Sequence, residues 1–259
     1  MIPSTIFQPD YFKGRIYLIT GASSGMGAHI ALTLNAMGAK VLAIARNEER
    51  LFAKQAQSTH PELFIPIIKD IAEIEGLDRW VLELAKTHGG LDGAVLAAGI
   101  QRIAPLAAPQ SVESSLPLFQ TNYFANLQIL KALTDKRAKT KQNASFIAIS
   151  SNSSIKAQKA LAHYAATKGA LNAAIASIAL EIAPLGYRIN AISPGFVDSE
   201  MTQSWGAIYD EAFRTQLAAQ YPLGLGKIED ITPLVCFLLS DGARWITGQN
   251  IIIDGGASL

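Results

Sequence analysis

"RIYLITGASSGMGAHIALTLNAMG", residues 15–38, decides how the rest of the chain is read. Residues 15–20 are apolar and β-branched, which reads as a strand, and the apolar stretch from Met26 reads as a helix stopping at Gly38. Between them lies "TGASSGMG", Thr20 to Gly27, with glycines at 21, 25 and 27. Gly21 allows a tight exit from the strand, Gly25 lets backbone amides approach an anion, and Gly27 lets the helix pack closely on the sheet. A helix starting near Ser24 turns its free amides and positive dipole end toward that anion. A plain glycine-rich turn is the alternative. The strand before, the helix after and the early position favour a phosphate-binding loop.

Working outward, the same alternation repeats. Strands are expected at 40–45, 63–70, 91–99, 144–150, 188–193 and 249–254, making seven with the first. Pro66 weakens the third, because a proline cannot donate to a central ladder. Helices are expected at "NEERLFAKQAQS" with Asn47 as N-cap, at "IEGLDRWVLELAKTHGG", from about Val112 to Lys136, and over 161–183. Strands apolar on both faces, alternating with helices, imply a doubly wound, three-layer α/β fold with a mostly or wholly parallel sheet. No composition break or repeat divides residues 1–259, so one domain is expected.

Composition agrees with that class and excludes others. Apolar residues make up 49% and charged residues 17%, enough for a large covered core. A net charge of +1 gives no argument for nucleic acid or an anionic membrane. No apolar run approaches the length of a membrane span, and the first residues do not resemble a signal peptide, so a cytoplasmic protein is expected. The single cysteine, Cys236, forms no internal disulfide and reads as a buried structural thiol. The four histidines lack metal-ligand spacing, and no metal is expected.

Two further places carry chemistry. The second strand ends at Ala45 and is followed by Arg46, where dinucleotide folds often place a carboxylate for the ribose 2′-hydroxyl. Arg46 can instead pair bidentately with a 2′-phosphate, which favours NADP(H) over NAD(H); a solvated arginine at a helix start is the other reading. In "AHYAATKGAL", residues 162–171, Tyr164 and Lys168 stand one helical turn apart on one face, among alanines. From this stretch alone, a snorkelling lysine beside a half-buried tyrosine is the favoured reading.

Together these residues resemble the short-chain dehydrogenase/reductase family, over nearly the whole chain. "TGASSGMG" is similar to its TGxxxGxG loop, "YAATK" to its YxxxK signature, "NAISPGFVDS" to its PG motif and "ITGQNIIIDGG" to its last strand. The resemblance implies a Rossmann fold and hydride transfer between NADP(H) and a ketone/secondary alcohol pair. It implies Tyr164 as general acid, Lys168 as its partner, Ser151 by its spacing of thirteen before Tyr164, and Asn122 in "QTNYFAN". Ser150, Ser153 and Asn126 are neighbours of the same type. For the cofactor it implies Gly21, Ser23, Ser24, Gly25, Met26, Gly27, Arg46, Asp70, Ile71, Ala98, Gly99, Pro194, Gly195, Val197 and Ser199, besides Tyr164 and Lys168. For a small-molecule carbonyl or alcohol substrate it implies Ser151, Asn152, Ser153, Gln101, Met201 and Trp205, with Arg102 nearby and a lid at about 196–225. Met201, Trp205, Tyr209, Phe213 and Tyr221 make that lid aromatic.

The family's NNAG stretch reads "LAAG" here, Leu96 to Gly99, so two bracing asparagines are missing and local stability is affected before chemistry. A homotetramer or homodimer is implied, and the apolar stretch 169–182 agrees. "KALTDKRAKTKQ" carries five basic residues against one acid, which suits either a solvated helix end or an acyl carrier protein docking near the cleft. 3-Oxoacyl thioesters, sugar-derived ketones and small cyclic ketones all fit as substrates. The rival of a different kind is a catalytically silent cofactor-sensing or scaffold protein on the same fold.

Overall fold

The computed structural model describes residues 8–108, 112–198 and 211–259, with residues 212 and 213 by backbone alone. Seven strands form one parallel sheet: β1 Ile16–Thr20, β2 Lys40–Ala45, β3 Phe64–Ile68, β4 Gly93–Leu96, β5 Ser145–Ile149, β6 Arg188–Pro194 and β7 Asn250–Ile253. Their order is β3-β2-β1-β4-β5-β6-β7. The helices among the described residues are α1 Gly25–Ala36, α2 Glu48–Gln57, α3 Leu77–Thr87, α4 Ser115–Phe119, α5 Ala125–Thr134, α6 Ala162–Ile182, α7 Glu211–Ala218 and α8 Ile228–Leu239.

The apolar runs follow from burial on both faces. Leu18, Leu42, Leu96, Phe146 and Ala191 point into a core under α3, α5 and α6. Their chain neighbours Ile19, Val41, Val95, Ile147 and Ile192 point into a second core under α1 and α8. Alternate residues therefore face opposite layers, and the few polar side chains on these strands are buried with partners, as where Ser145 Oγ donates to Leu238 O at 2.9 Å. Pro66 lies in β3 opposite Ala43, and β3 is the sheet's edge. One side of that strand has no ladder, so a missing N–H is tolerated there.

Asn47 caps α2, its side chain accepting from Arg50 N at 2.8 Å. Gly38 follows α1 with φ +86°. Cys236 is buried, and burial pushes its thiol up to about 12.

Three differences from the sequence expectation matter. The long helix expected over 112–136 is α4 and α5 joined by a π-helical turn, Gln120–Phe124. The Asn122 carbonyl there accepts from Asn126 Nδ2 at 2.7 Å, a side-chain donor that accompanies the widened turn. Second, α6 with its continuation, Ala162–Leu185, is apolar and long enough to cross a membrane by composition. Its inner residues Leu171, Ile175 and Ala179 pack into the sheet core, while its outer surface is mostly alanine. Third, the basic run does not lie at the cleft. α5 carries the chain from Asn122 back to the amino-terminal edge of the sheet, where Lys141 N donates to Leu91 O at 2.9 Å. Three of its cations are already paired, Lys131 with Asp78, Arg137 with Asp135 and Lys141 with Asp92.

Candidate active site

The strand order reverses between β1 and β4, and the crevice at their carboxyl ends is where such sheets hold ligands. The glycine loop forms one wall. Gly21 has φ +70°, and a Cβ there would meet Ala98 Cα at 2.9 Å. A Cβ on Gly27 would lie 2.4 Å from Gly21 O, so the first turn of α1 packs directly on the loop. Ser24, the N-cap of α1, makes no side-chain cap bond, which leaves the first amides of the helix without side-chain acceptors. Such a cradle fits a pyrophosphate.

A cavity of about 570 Å³ opens from this loop. Gly21, Ser23, Ser24, Arg46, Asp70, Ile71, Ala98 and Gly99 line it, as expected from the sequence; Asn47, Arg50, Lys69, Ile100 and Thr121 line it too. Arg46 Nη1 lies 3.7 Å from Asp70 Oδ2, and Lys69 pairs with Glu73. Three cations from two separate segments therefore meet at one end of the cavity.

Two other side chains brace the backbone after Leu96 and Ala97. Thr20 Oγ1 accepts from Ala98 N at 3.1 Å. Asn122 holds Ile100 from both sides, Oδ1 accepting from its N–H at 2.8 Å and Nδ2 donating to its carbonyl at 2.9 Å. Asn122 Nδ2 also donates to Thr167 Oγ1 at 3.1 Å. Leu96 is free to fill the core instead.

A smaller cavity of about 120 Å³ adjoins the first. Met26, Gln101, Ser151, Asn152, Ser153, Tyr164, Pro194, Gly195 and Val197 line it together with Gln158, Leu161, Phe196, Leu217 and Tyr221. Ser151 Oγ accepts from Ser153 N at 3.2 Å and from Ser153 Oγ at 2.9 Å. Ser150 Oγ turns inward to the Lys168 carbonyl at 3.4 Å. Asn152 is buried, and its amide is already bonded to Asp254. Arg102 is exposed and outside the lining. Ser199, Met201, Trp205 and Tyr209 lie outside the described residues, as does the Phe213 side chain.

Tyr164 and Lys168 stack one turn apart on α6, with Lys168 Nζ 5.7 Å from the phenol ring centre. Lys168 is buried, and its Nζ donates to Ile149 O at 2.8 Å. A Cβ on Gly99 would sit 3.5 Å from that Nζ and 3.3 Å from Asn122 Oδ1, so Gly99 gives a ligand room to approach both. Burial pushes the Tyr164 phenol up to about 12, opposed by a hydrogen bond with Ser151. Burial pulls the Lys168 ammonium down to about 8. Both shifts favour neutral side chains, opposite to what a phenol serving as an acid near neutrality requires.

Residues 21–258 match the family model described as enoyl-(acyl carrier protein) reductase. The chain is 34% identical over 252 residues to the vibriobactin-specific 2,3-dihydro-2,3-dihydroxybenzoate dehydrogenase of Vibrio cholerae, covering 93% of this chain and 95% of that one. It belongs to the short-chain dehydrogenase/reductase family. This short-chain dehydrogenase/reductase is also 34% identical over 248 residues to the 3-oxoacyl-(acyl-carrier-protein) reductase of Escherichia coli, covering 95% and 98%. The crystal structure of 3-ketoacyl-(acyl-carrier-protein) reductase from Brucella melitensis, complexed with NADH, superposes with a TM-score of 0.84 at 25% identity, covering 96% of this chain and all of that one. The chain is thus an oxidoreductase on a Rossmann nucleotide-binding fold.

Proposed function

We propose that this short-chain dehydrogenase/reductase uses NADP(H) to interconvert a ketone and a secondary alcohol. The observation that carries the reading is the Tyr164–Lys168 pair: half-buried Tyr164 lines the pocket with Ser151, and buried Lys168 reaches toward Gly99 on the wall of the other cavity. The glycine loop and α1 amides hold the pyrophosphate, and Arg46 with Arg50 and Lys69 receives the 2′-phosphate. Ile71, Ala98, Gly99, Pro194, Gly195 and Val197 shape the channel between. When bound, the reduced nicotinamide supplies the hydride. Ser151 orients the substrate oxygen, and Tyr164 gives it a proton as negative charge develops. Bringing a phenol from about 12 to near neutrality asks for roughly 7 kcal/mol of differential stabilisation. A protonated Lys168 beneath the ring acts in that direction. The Asn122 side chain is committed to Ile100 and Thr167, so a relay water falls to its main-chain carbonyl.

The whole chain acts as one domain in the cytoplasm, with residues from about 196 to 225 as a lid. The test is NADPH consumption with acetoacetyl-CoA, a sugar-derived ketone and a small cyclic ketone. Turnover of one of these is expected, and no turnover of any would overturn the reading. An acyl carrier protein, if it delivers the substrate, docks without the basic run at the opposite edge.

Protonation of Lys168 sets a pH limit. Its pKa of about 8 means the ammonium is lost as pH rises through that value. In carbonyl reduction, kcat/KM for NADPH is expected to hold to about pH 8 and fall tenfold per pH unit above it. A profile flat to about pH 10 would remove the charge on Lys168 from the mechanism.

The chain assembles as a homotetramer or homodimer through α5 and α6. The outer face of α6 carries exposed Ala166, Ala173, Ala176 and Leu180, and Phe124 at the head of α5 is 44% exposed. Ala173→Arg is expected to give monomers in sedimentation velocity; an unchanged assembly would rule out this face.

A further inference from the structure

Asp254 follows the last strand and is nearly buried. Its Oδ2 accepts from Asn152 Nδ2 at 3.2 Å, and its Oδ1 accepts from Gly256 N at 3.1 Å. Asn152 is the residue after Ser151; burial pushes the Tyr221 phenol up, and the Asn152 side chain acts against that rise. Tyr221 in turn accepts from Phe196 N at 2.9 Å. Gly195 is wedged beside these groups, since a Cβ there would lie 2.6 Å from Asp254 Cβ and 2.9 Å from the Tyr221 ring. Lys156 spans the same corner, donating to Ala257 O and standing 6.0 Å from the centre of the Tyr221 ring.

The connection reaches both ends of the segment that leaves β6 and returns before α8. Gly226 N donates to Phe196 O and Asp198 N to Gly226 O, each at 3.1 Å, and Leu223 N donates to Gly255 O at the same distance. The C-terminal segment, the turn bearing Ser151 and the base of this segment are thus one hydrogen-bonded unit. No cation pairs with Asp254 among the described ion pairs. Its carboxylate is held by neutral donors, so removing it costs the Asn152 amide its carboxylate acceptor in a buried corner.

We propose that Asp254 is a positioning residue for the substrate pocket, acting through Asn152 and Tyr221 to fix the Ser151 turn against the Phe196 end of the segment above it. It lines neither the cavity at the glycine loop nor the Ser151 pocket. This rests on the Ser151 cavity being the substrate site. Loss of Asp254 therefore loosens substrate binding and leaves the glycine loop, Tyr164 and Lys168 in place.

The test compares Asp254→Ala, Asp254→Asn and Tyr221→Phe by two readouts. One is steady-state reduction of acetoacetyl-CoA with NADPH. The other is exchange of the Phe196 amide, followed by NMR without substrate. Asp254→Ala and Tyr221→Phe are expected to raise KM by roughly tenfold with kcat within about threefold and NADPH affinity unchanged. Phe196 exchange is expected to speed up by about tenfold in both. Asp254→Asn keeps the shape and one acceptor, so its effects are expected to be smaller. It carries the test if the alanine variant does not fold. Unchanged KM and unchanged Phe196 protection, or a loss of NADPH affinity equal to the loss in KM, would overturn the proposal. If the wild-type chain reduces no thioester, amide exchange alone decides the coupling. Faster exchange then supports it while the missing turnover counts against the thioester as substrate.

Discussion

Tyr164→Phe is expected to lower kcat for ketone reduction by about a thousandfold, with NADPH affinity within about twofold of wild type. The substitution removes one oxygen and keeps the ring. Lys168 retains its bond to the Ile149 carbonyl, so its position does not depend on the phenol. Ser151 loses one partner and keeps the two donors from Ser153. The larger of the two cavities is lined by the glycine loop, the β2 tip, Lys69–Ile71, Ala98–Ile100 and Thr121, and Tyr164 is not part of that lining. What disappears is the proton for the substrate oxygen, worth about 4 kcal/mol in the barrier for a thousandfold effect. Single-turnover reduction and fluorescence titration of NADPH measure the two quantities separately. An unchanged rate would overturn the assignment of the acid. Equal losses in rate and cofactor binding would mean that the ring, and not the proton, carries the effect.

The fold was legible because the physics that builds it is local and repetitive. The inner strands have both faces buried, so they appear as apolar runs, and all seven have ends within a few residues of the expected ones. The Tyr164–Lys168 pair was legible because a helix brings residues four apart together without help from the rest of the chain. Other features needed distance. The π turn at Gln120–Phe124 depends on where Asn126 directs its amide, which periodicity does not encode. Lys69 joins Arg46 only because β3 lies beside β2 at the edge of the sheet. Arg50 was within reach of the sequence, since it stands one turn from Arg46 at the start of the same helix. Of the two readings of the basic run, the solvated helix end fits its place in the topology and docking near the cleft does not. A ten-residue helix leaving the carboxyl edge covers about 15 Å and delivers its last residues to the other edge. Asp254 and Tyr221 meet Asn152 across separations of 102 and 69 residues, with no motif to announce them.

Arg46→Ala is expected to weaken NADPH binding by about a hundredfold and NADH binding by less than about threefold. The asymmetry follows from what the guanidinium can touch. It is 66% exposed at the tip of β2, where it lines the cavity with Arg50 and Lys69, and it is not part of the pocket that holds Tyr164. Its 3.7 Å pair with Asp70 is exposed on both sides and contributes little to stability, so the substitution leaves the fold intact. Asp70 itself is anchored independently, accepting from Ala72 N at 2.9 Å. A bidentate pair with a dianionic phosphate gains more than that exposed ion pair, because two charge-assisted bonds form at once. Arg50 and Lys69 remain in the alanine variant, which keeps the loss finite and leaves residual NADPH preference. Dissociation constants for the two cofactors, measured on the same preparation at fixed ionic strength, decide the matter. Equal weakening of NADPH and NADH would assign Arg46 to the shared adenosine moiety. An unchanged NADPH affinity would move the 2′-phosphate contact to Arg50 and Lys69, the two cations that meet it from the neighbouring helix and strand end.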